Sequence, residues 1–308
     1  MTTTLNPLAA DPPIRMVDRV VTIGGKRLRY SISDNVDAPW WAVNVHGFFA
    51  GGGVYWREST RLAAKLGVRV VNPNMPGFAG STSFAWDDLH MASFADTLAL
   101  LMDHLGIERA LILGHSMGGA ISTQFAHDYP ERTLGLVYRD GVATSSWKER
   151  RGILKAILAP VSPDLGDAAD IAWGFLRDVP DMMAGRVTAW VSTASPDIRQ
   201  NARNLLETAP VAAMLLGTDL TPLVEDLRRM PEIPILPMWG RFDRLVPPRT
   251  GEEFAEIIGR PIHWIWGGHS WMIPRPATTL HHLTSTPTGQ AFLEEVTASA
   301  GVDIPVAV

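Results

Sequence analysis

The segment Gly114-His115-Ser116-Met117-Gly118-Gly119 follows a wholly apolar run, Ala110-Leu111-Ile112-Leu113, and precedes a helix-like stretch ending at Pro130. An apolar run of this length reads as a central strand covered on both faces. A serine on a tight turn from such a strand into a helix sits in a strained backbone conformation, so the residues two before and two after it must be small. Gly114, Gly118, Gly119 and Ala120 meet that condition. The turn lifts the hydroxyl out of the sheet, and the helix directs its positive end at any negative charge that develops there. The same letters also fit a glycine-rich turn with a capping serine; the strand–turn–helix setting favours a nucleophile.

The rest of the chain supplies a sheet for that turn. Arg19–Ile23 and Lys26–Ile32 read as a strand pair joined by Gly24-Gly25, a good two-residue hairpin turn. Trp41–Val45, Val68–Val71 and Leu134–Tyr138 are further strand-like runs, and residues 55–66 are helix-like. Phe94, Leu98, Leu101 and Leu105 recur at helical spacing, with Gly106 as the expected C-terminal cap. Strands alternating with helices imply parallel βαβ units and a doubly covered sheet, an α/β fold. The alternation resumes at Ile233–Trp239, a helix near Glu252–Ile258, Ile262–Trp266 and a last helix near residues 290–298. Pro234 and Pro237 conflict with a central strand, which needs its N–H groups. Pro234 can open the strand, and a bulge or early strand end is expected at Pro237.

Between residues 143 and 230 the strand signal is absent, and helix-period pieces such as Ile153–Leu158, Ile171–Leu176 and Met214–Leu216 are broken at Pro160, Pro163, Pro180, Pro196 and Pro210. The expected organisation is a loose tail over residues 1–14, a core over 15–142 and 231–308, and an all-helical insertion over 143–230.

Composition narrows the chemistry. The 308 residues include no cysteine, which removes disulfides, thiolate metal sites and a cysteine nucleophile. With 27 basic and 32 acidic side chains the net charge is −5, which disfavours a general nucleic-acid binder. The N-terminal residues lack the apolar core of a signal peptide, and no run is long enough for a membrane span, so a cytoplasmic protein is expected.

Taken together, His46-Gly47-Phe48, Pro76-Gly77-Phe78-Ala79-Gly80-Ser81, the turn at Ser116, Gly240-Arg241-Phe242-Asp243 and Gly267-Gly268-His269 resemble the α/β-hydrolase fold family, over about residues 17–298. The resemblance implies a mostly parallel sheet flanked by helices, with residues 143–230 in the place of a helical cap. Ser116, where dehalogenases and epoxide hydrolases of this fold carry aspartate, points to its serine branch. His269 matches the family's histidine loop, and Asp243, just past a strand end, is the expected acid that orients it. Asp140, one strand earlier, is the rival. By the same resemblance the backbone N–H groups of Phe48 and Met117 form the oxyanion hole, and His46 is structural. Phe49-Ala50-Gly51-Gly52-Gly53 extends that loop, its glycines giving backbone freedom or close approach to substrate; nucleotide-loop spacing is absent.

Eleven tryptophans, with Trp56, Trp239, Trp266 and Trp271 flanking the expected site, suggest an apolar pocket, although core filling explains any single one equally well. Phe49, Trp271, Trp173 and Met182 are the candidate lining residues; Met183, Trp190 and Met214 are further contributors from the cap. The implied activity is cofactor-independent and metal-free cleavage of a small apolar ester or similar acyl compound through an acyl-enzyme. Carbon–carbon hydrolysis and haloperoxidase-like perhydrolysis use the same triad, and a non-catalytic binding module is the remaining alternative.

Overall fold

A computed structural model describes residues 13–149, 196–197 and 199–301. Its centre is an eight-stranded sheet in the order β1-β2-β4-β3-β5-β6-β7-β8. The strands are β1 (Met16–Ile23), β2 (Lys26–Ser33), β3 (Trp40–Val45), β4 (Val68–Pro73), β5 (Ala110–His115), β6 (Thr133–Arg139), β7 (Ile235–Gly240) and β8 (His263–Ile265). β1 and β2 form the expected hairpin, with Gly24 and Gly25 at φ +55° and +77°, the paired left-handed conformation that a two-residue turn demands. β2 is antiparallel to β4; from β4 to β8 all pairings are parallel.

Side-chain alternation along the central strands divides the core in two. Val43 and Val45, Ile112, and Leu136 and Tyr138 face one apolar cluster, while Ala42, Leu111 and Leu113, and Val137 face the other. The first cluster is covered by α2 (Met91–His104), α3 (Met117–Asp128), α5 (Thr221–Leu227) and α6 (Pro248–Ile258), through Phe94, Leu98, Ile121, Phe125, Val224 and Phe254. The second is covered by α1 (Trp56–Leu66), α7 (Thr278–Ser285) and α8 (Pro287–Ala300), through Leu62, Leu66, Leu283, Phe292 and Val296. Each such buried side chain stabilises the fold by about 1.5–3 kcal/mol. The sheet is thus covered on both faces, as the alternation of strands and helices implied. Among the described residues no helix is long and apolar enough to cross a membrane.

Two proline expectations are corrected. β7 runs through Pro237, which pairs in register with Tyr138 without a bulge. The carbonyls of Pro234 and Met238 bond to Leu136 and Asp140, so the even-numbered residues of β7 face β6 and Pro237 faces the other way. On that side β8 begins only opposite Met238, so the missing N–H deprives no partner. Pro210 likewise does not break its helix: α4 (Leu205–Gly217) continues through it. The forfeited bond is to the carbonyl of Leu206, a residue 92% exposed, where solvent can satisfy it.

The described part of the insertion is helical: a 3₁₀ turn at Ser145–Glu149, α4 and α5. α5 packs on α3 and α6, and Leu220 N–H bonds to the Ala143 carbonyl, tying the two ends of the insertion together. Most of the tail, the pieces 153–158 and 171–176, and Trp173, Met182, Met183 and Trp190 lie outside the described residues.

Candidate active site

The C-terminal ends of β3, β5, β6, β7 and β8 meet along one edge of the sheet, the edge where parallel sheets present ligand sites. Ser116 stands there between β5 and α3 with φ +55° and ψ −119°, a strained conformation for a residue with a Cβ. It is pinned by its N–H to the Arg139 carbonyl (3.0 Å) and by Gly119 N–H to its own carbonyl (2.8 Å). The surrounding packing explains the small residues. A Cβ on Gly118 would fall 2.2 Å from the Val45 carbonyl oxygen, and one on Gly47 would fall 3.1 Å from Ser116 Cβ. Backbone at the end of β3 is therefore closed up against the serine turn.

His269 and Asp243 are brought together. His269 Nδ1 lies 2.7 Å from Asp243 Oδ2, both groups being buried. The other carboxylate oxygen accepts the N–H groups of Leu245 (2.8 Å) and Val246 (2.9 Å), which fixes the acid in place. With the Nδ1 hydrogen donated to Asp243, Nε2 is left with its lone pair, the form a general base requires.

Asp140 is not the partner of His269. Its oxygens accept Gly240 N–H and the Trp271 indole N–H, each at 2.7 Å. Burial, and after it the neighbouring Asp243 charge, hold the Asp140 carboxyl well above the usual carboxylate range. Ligand atoms of Asp140, Asp243 and His269 fall within 4.8 Å of one another, close enough to share a cation. Every oxygen of the two carboxylates already accepts an N–H, so an ion there would have to compete with those bonds.

Phe48 and Phe49 lie on the turn after β3, closed by Ala50 N–H to the Gly47 carbonyl (3.2 Å), with Phe49 at φ +63°. The Phe48 ring packs against Phe49 and Phe78, at centroid distances of 5.7 and 5.5 Å. Met117 is the first residue of α3, where a backbone N–H has no acceptor within its own helix. His46 is structural, as expected: Nε2 accepts Met75 N–H (2.9 Å), which leaves Nδ1–H to donate to the Gly47 carbonyl (2.8 Å). Burial lowers its pKa from 6.5 to about 4.

Two readings of the surroundings change. Trp271, expected in a pocket wall, is fully buried in the core with its indole bonded to Asp140. Of the other tryptophans expected nearby, Trp239 is also buried, Trp56 is half-buried, and Trp266 is 70% exposed. The glycines of residues 51–53 serve close packing rather than an open loop. A Cβ on Gly52 would lie 2.4 Å from the Asn72 carbonyl oxygen, and one on Gly51 2.7 Å from Asp197 Oδ2. Sequence reasoning passed over Tyr55 and the buried His115 and Arg139; a histidine and an arginine ending otherwise apolar strands were the available signal. A surface cleft of about 260 Å³ between the β1–β2 hairpin and α2 is lined by residues that include Lys26, Phe84 and Asp96 and shares none with the Ser116 region.

Comparison with known proteins agrees with this architecture. Residues 43–155 match the family described as alpha/beta hydrolase fold. A 2-hydroxy-6-oxononadienedioate/2-hydroxy-6-oxononatrienedioate hydrolase of Comamonas testosteroni is 31% identical over 241 residues, covering 72% of this chain and 79% of the relative. A pimeloyl-(acyl-carrier protein) methyl ester esterase of Vibrio vulnificus is 24% identical over 257 residues, covering 79% and 92%. The solved structure of a thermophilic esterase from Thermogutta terrifontis superposes with a TM-score of 0.65 at 22% identity, covering 91% of this chain and 99% of that one. Fold, sequence pattern and relatives converge, and the chain belongs to the α/β-hydrolase fold family.

Proposed function

We propose that this hydrolase cleaves apolar carboxylic esters, or similar acyl compounds, through a covalent acyl-enzyme on Ser116. The observation that carries the reading is the His269–Asp243 pair on the same sheet edge as a serine held at φ +55°. His269 Nε2 takes the serine proton as Oγ attacks the carbonyl carbon, and Asp243 stabilises the imidazolium that forms. The Phe48 and Met117 N–H groups receive the oxyanion, an interaction whose loss typically slows such reactions by about 10²–10³-fold. His269 then protonates the leaving alcohol. Water, activated by the same base, releases the acid and restores the serine.

The test is labelling with a fluorophosphonate, followed by peptide mapping and a p-nitrophenyl ester chain-length series. Adduct on Ser116, absent from Ser116→Ala, supports the reading; folded protein that takes no label sinks it. Carbon–carbon hydrolysis is the second reading, favoured by the 31% identity to the Comamonas testosteroni hydrolase. It predicts faster turnover of a 2-hydroxy-6-oxodienoate than of any simple ester.

A further inference from the structure

His115, the residue before the serine, has no part in the chemistry above, yet both of its ring nitrogens are engaged. It is 3% exposed at the end of β5, with Nδ1 2.7 Å from the Tyr55 hydroxyl and Nε2 2.8 Å from the backbone carbonyl oxygen of His269. The directions follow from proton accounting. A carbonyl can only accept, so Nε2 carries a hydrogen. Burial, followed by the nearby His269 and Arg139, holds the imidazole well below its ordinary pKa, so that hydrogen is its only ring N–H. Nδ1 therefore accepts, and Tyr55 donates to it. The Tyr55 oxygen in turn accepts Gly47 N–H at 3.2 Å.

The result is a buried chain that runs from the residue before Phe48 to His269. Gly47 immediately precedes Phe48 on the loop after β3, and His269 lies on the loop after β8. Tyr55 itself is 2% exposed, with the Arg139 guanidinium 5.9 Å from its ring centroid. The His115 and His269 rings lie 4.7 Å apart, so the middle of the chain also backs the imidazole.

We propose that Tyr55 and His115 are positioning residues that lock the loop carrying Phe48 to the loop carrying His269, setting the oxyanion donors and the base at a fixed separation. This inference rests on the serine-hydrolase reading for its catalytic consequence, but not for its hydrogen-bond geometry. Because small misplacements of reacting groups can cost about a hundredfold, the link should be visible in kcat rather than KM.

The experiment compares wild type, Tyr55→Phe, His115→Ala, the double variant and His115→Gln, using p-nitrophenyl butyrate turnover and fluorophosphonate labelling of Ser116. Tyr55→Phe and His115→Ala should each lower kcat by about ten- to a hundredfold with KM little changed. The double variant should be no slower than the worse single one, since both cut one chain. His115→Gln, which keeps a donor and an acceptor, should recover most of the rate. Wild-type kcat in the single variants, multiplicative losses in the double, or no recovery with glutamine would overturn the proposal. An imidazole-detected ¹⁵N NMR spectrum reads the geometry without activity. His115 should be a neutral Nε2–H tautomer whose Nδ1 signal moves in Tyr55→Phe, and the opposite tautomer, or an unmoved signal, overturns the link. If wild type takes no label and turns over no ester while the NMR result holds, the failure belongs to the hydrolase reading and not to the link.

Discussion

Ser116 combines a strained backbone with a single functional atom, so removing that atom isolates its role. Ser116→Ala keeps the elbow and deletes Oγ; ester turnover should fall by at least about 10⁴-fold while the thermal midpoint stays close to wild type. The two aspartates separate in the same assay. Asp243→Asn places an amide against His269 Nδ1, favours the wrong tautomer and should lower kcat roughly 10⁴-fold. Asp140→Asn sets an amide hydrogen against one of two N–H donors, Gly240 or Trp271, and should act mainly on stability, by about 1–3 kcal/mol in urea unfolding. The tight turn at Ser116 and the pairing of His269 with Asp243 were legible in the sequence because residue type, chain order and strand-end position converge on them. The link through His115 was not, because its partners Tyr55 and His269 lie 60 and 154 residues from it along the chain and leave no local pattern. Trp271 was misplaced for a different reason: an indole suits an apolar pocket and an apolar core equally, and only the Asp140 carboxyl decides between them.

The turn from β5 into α3 is tight because β3 passes directly behind it. Gly118→Ala would push a methyl to within 2.2 Å of the Val45 carbonyl, a main-chain atom that cannot rotate away. Loss of soluble, cooperatively unfolding protein is the expected outcome, read by thermal denaturation. Pro237→Ala tests the opposite case. Its nitrogen faces the side of β7 where β8 has not yet begun, so a restored N–H gains no strand partner and, being buried, should lower the unfolding free energy in urea by about 1–3 kcal/mol. The central strands were foreshadowed by apolar or β-branched runs, since doubly covered strands have little solvent face to interrupt them, whereas the polar, largely exposed β1–β2 hairpin was marked by its Gly24-Gly25 turn. What the pattern missed were the two prolines. Their effect depends on where the missing N–H points, which is settled by neighbouring strands and by exposure, not by the residues beside them.

At the level of the whole chain, a fully buried ion pair joins the helix layer to the sheet. Arg139 Nη1 bonds both oxygens of Glu58, Arg139 Nη2 bonds Asn44 Oδ1 at 2.7 Å, and Thr279 adds its hydroxyl to Glu58. Four elements, α1, β3, β6 and α7, are held at one point. Glu58→Ala strands a buried guanidinium and should cost about 3–5 kcal/mol in urea unfolding. Acid should weaken the fold by another route. His46 has a folded pKa of about 4 against 6.5 when unfolded, so between those values the unfolded chain binds a proton that the native state refuses. Stability from this group is complete above pH 6.5 and is lost as pH falls, by about 3 kcal/mol near pH 4; His46→Gln should flatten that slope in urea midpoints taken from pH 7 to 4. His115 and the half-buried His282, also held below the ordinary value, act in the same direction. The order in which the chain is made adds a last consequence. Ser116 leaves the ribosome with its strand and turn, whereas His269, Asp243 and the carbonyl that His115 holds come from the far end of the sequence. If His269 is the base of the proposed mechanism, the serine is an ordinary alcohol until β7 and β8 join the sheet. On the proposed triad a nascent chain is thereby chemically silent, and release of its last quarter is the event that switches it on.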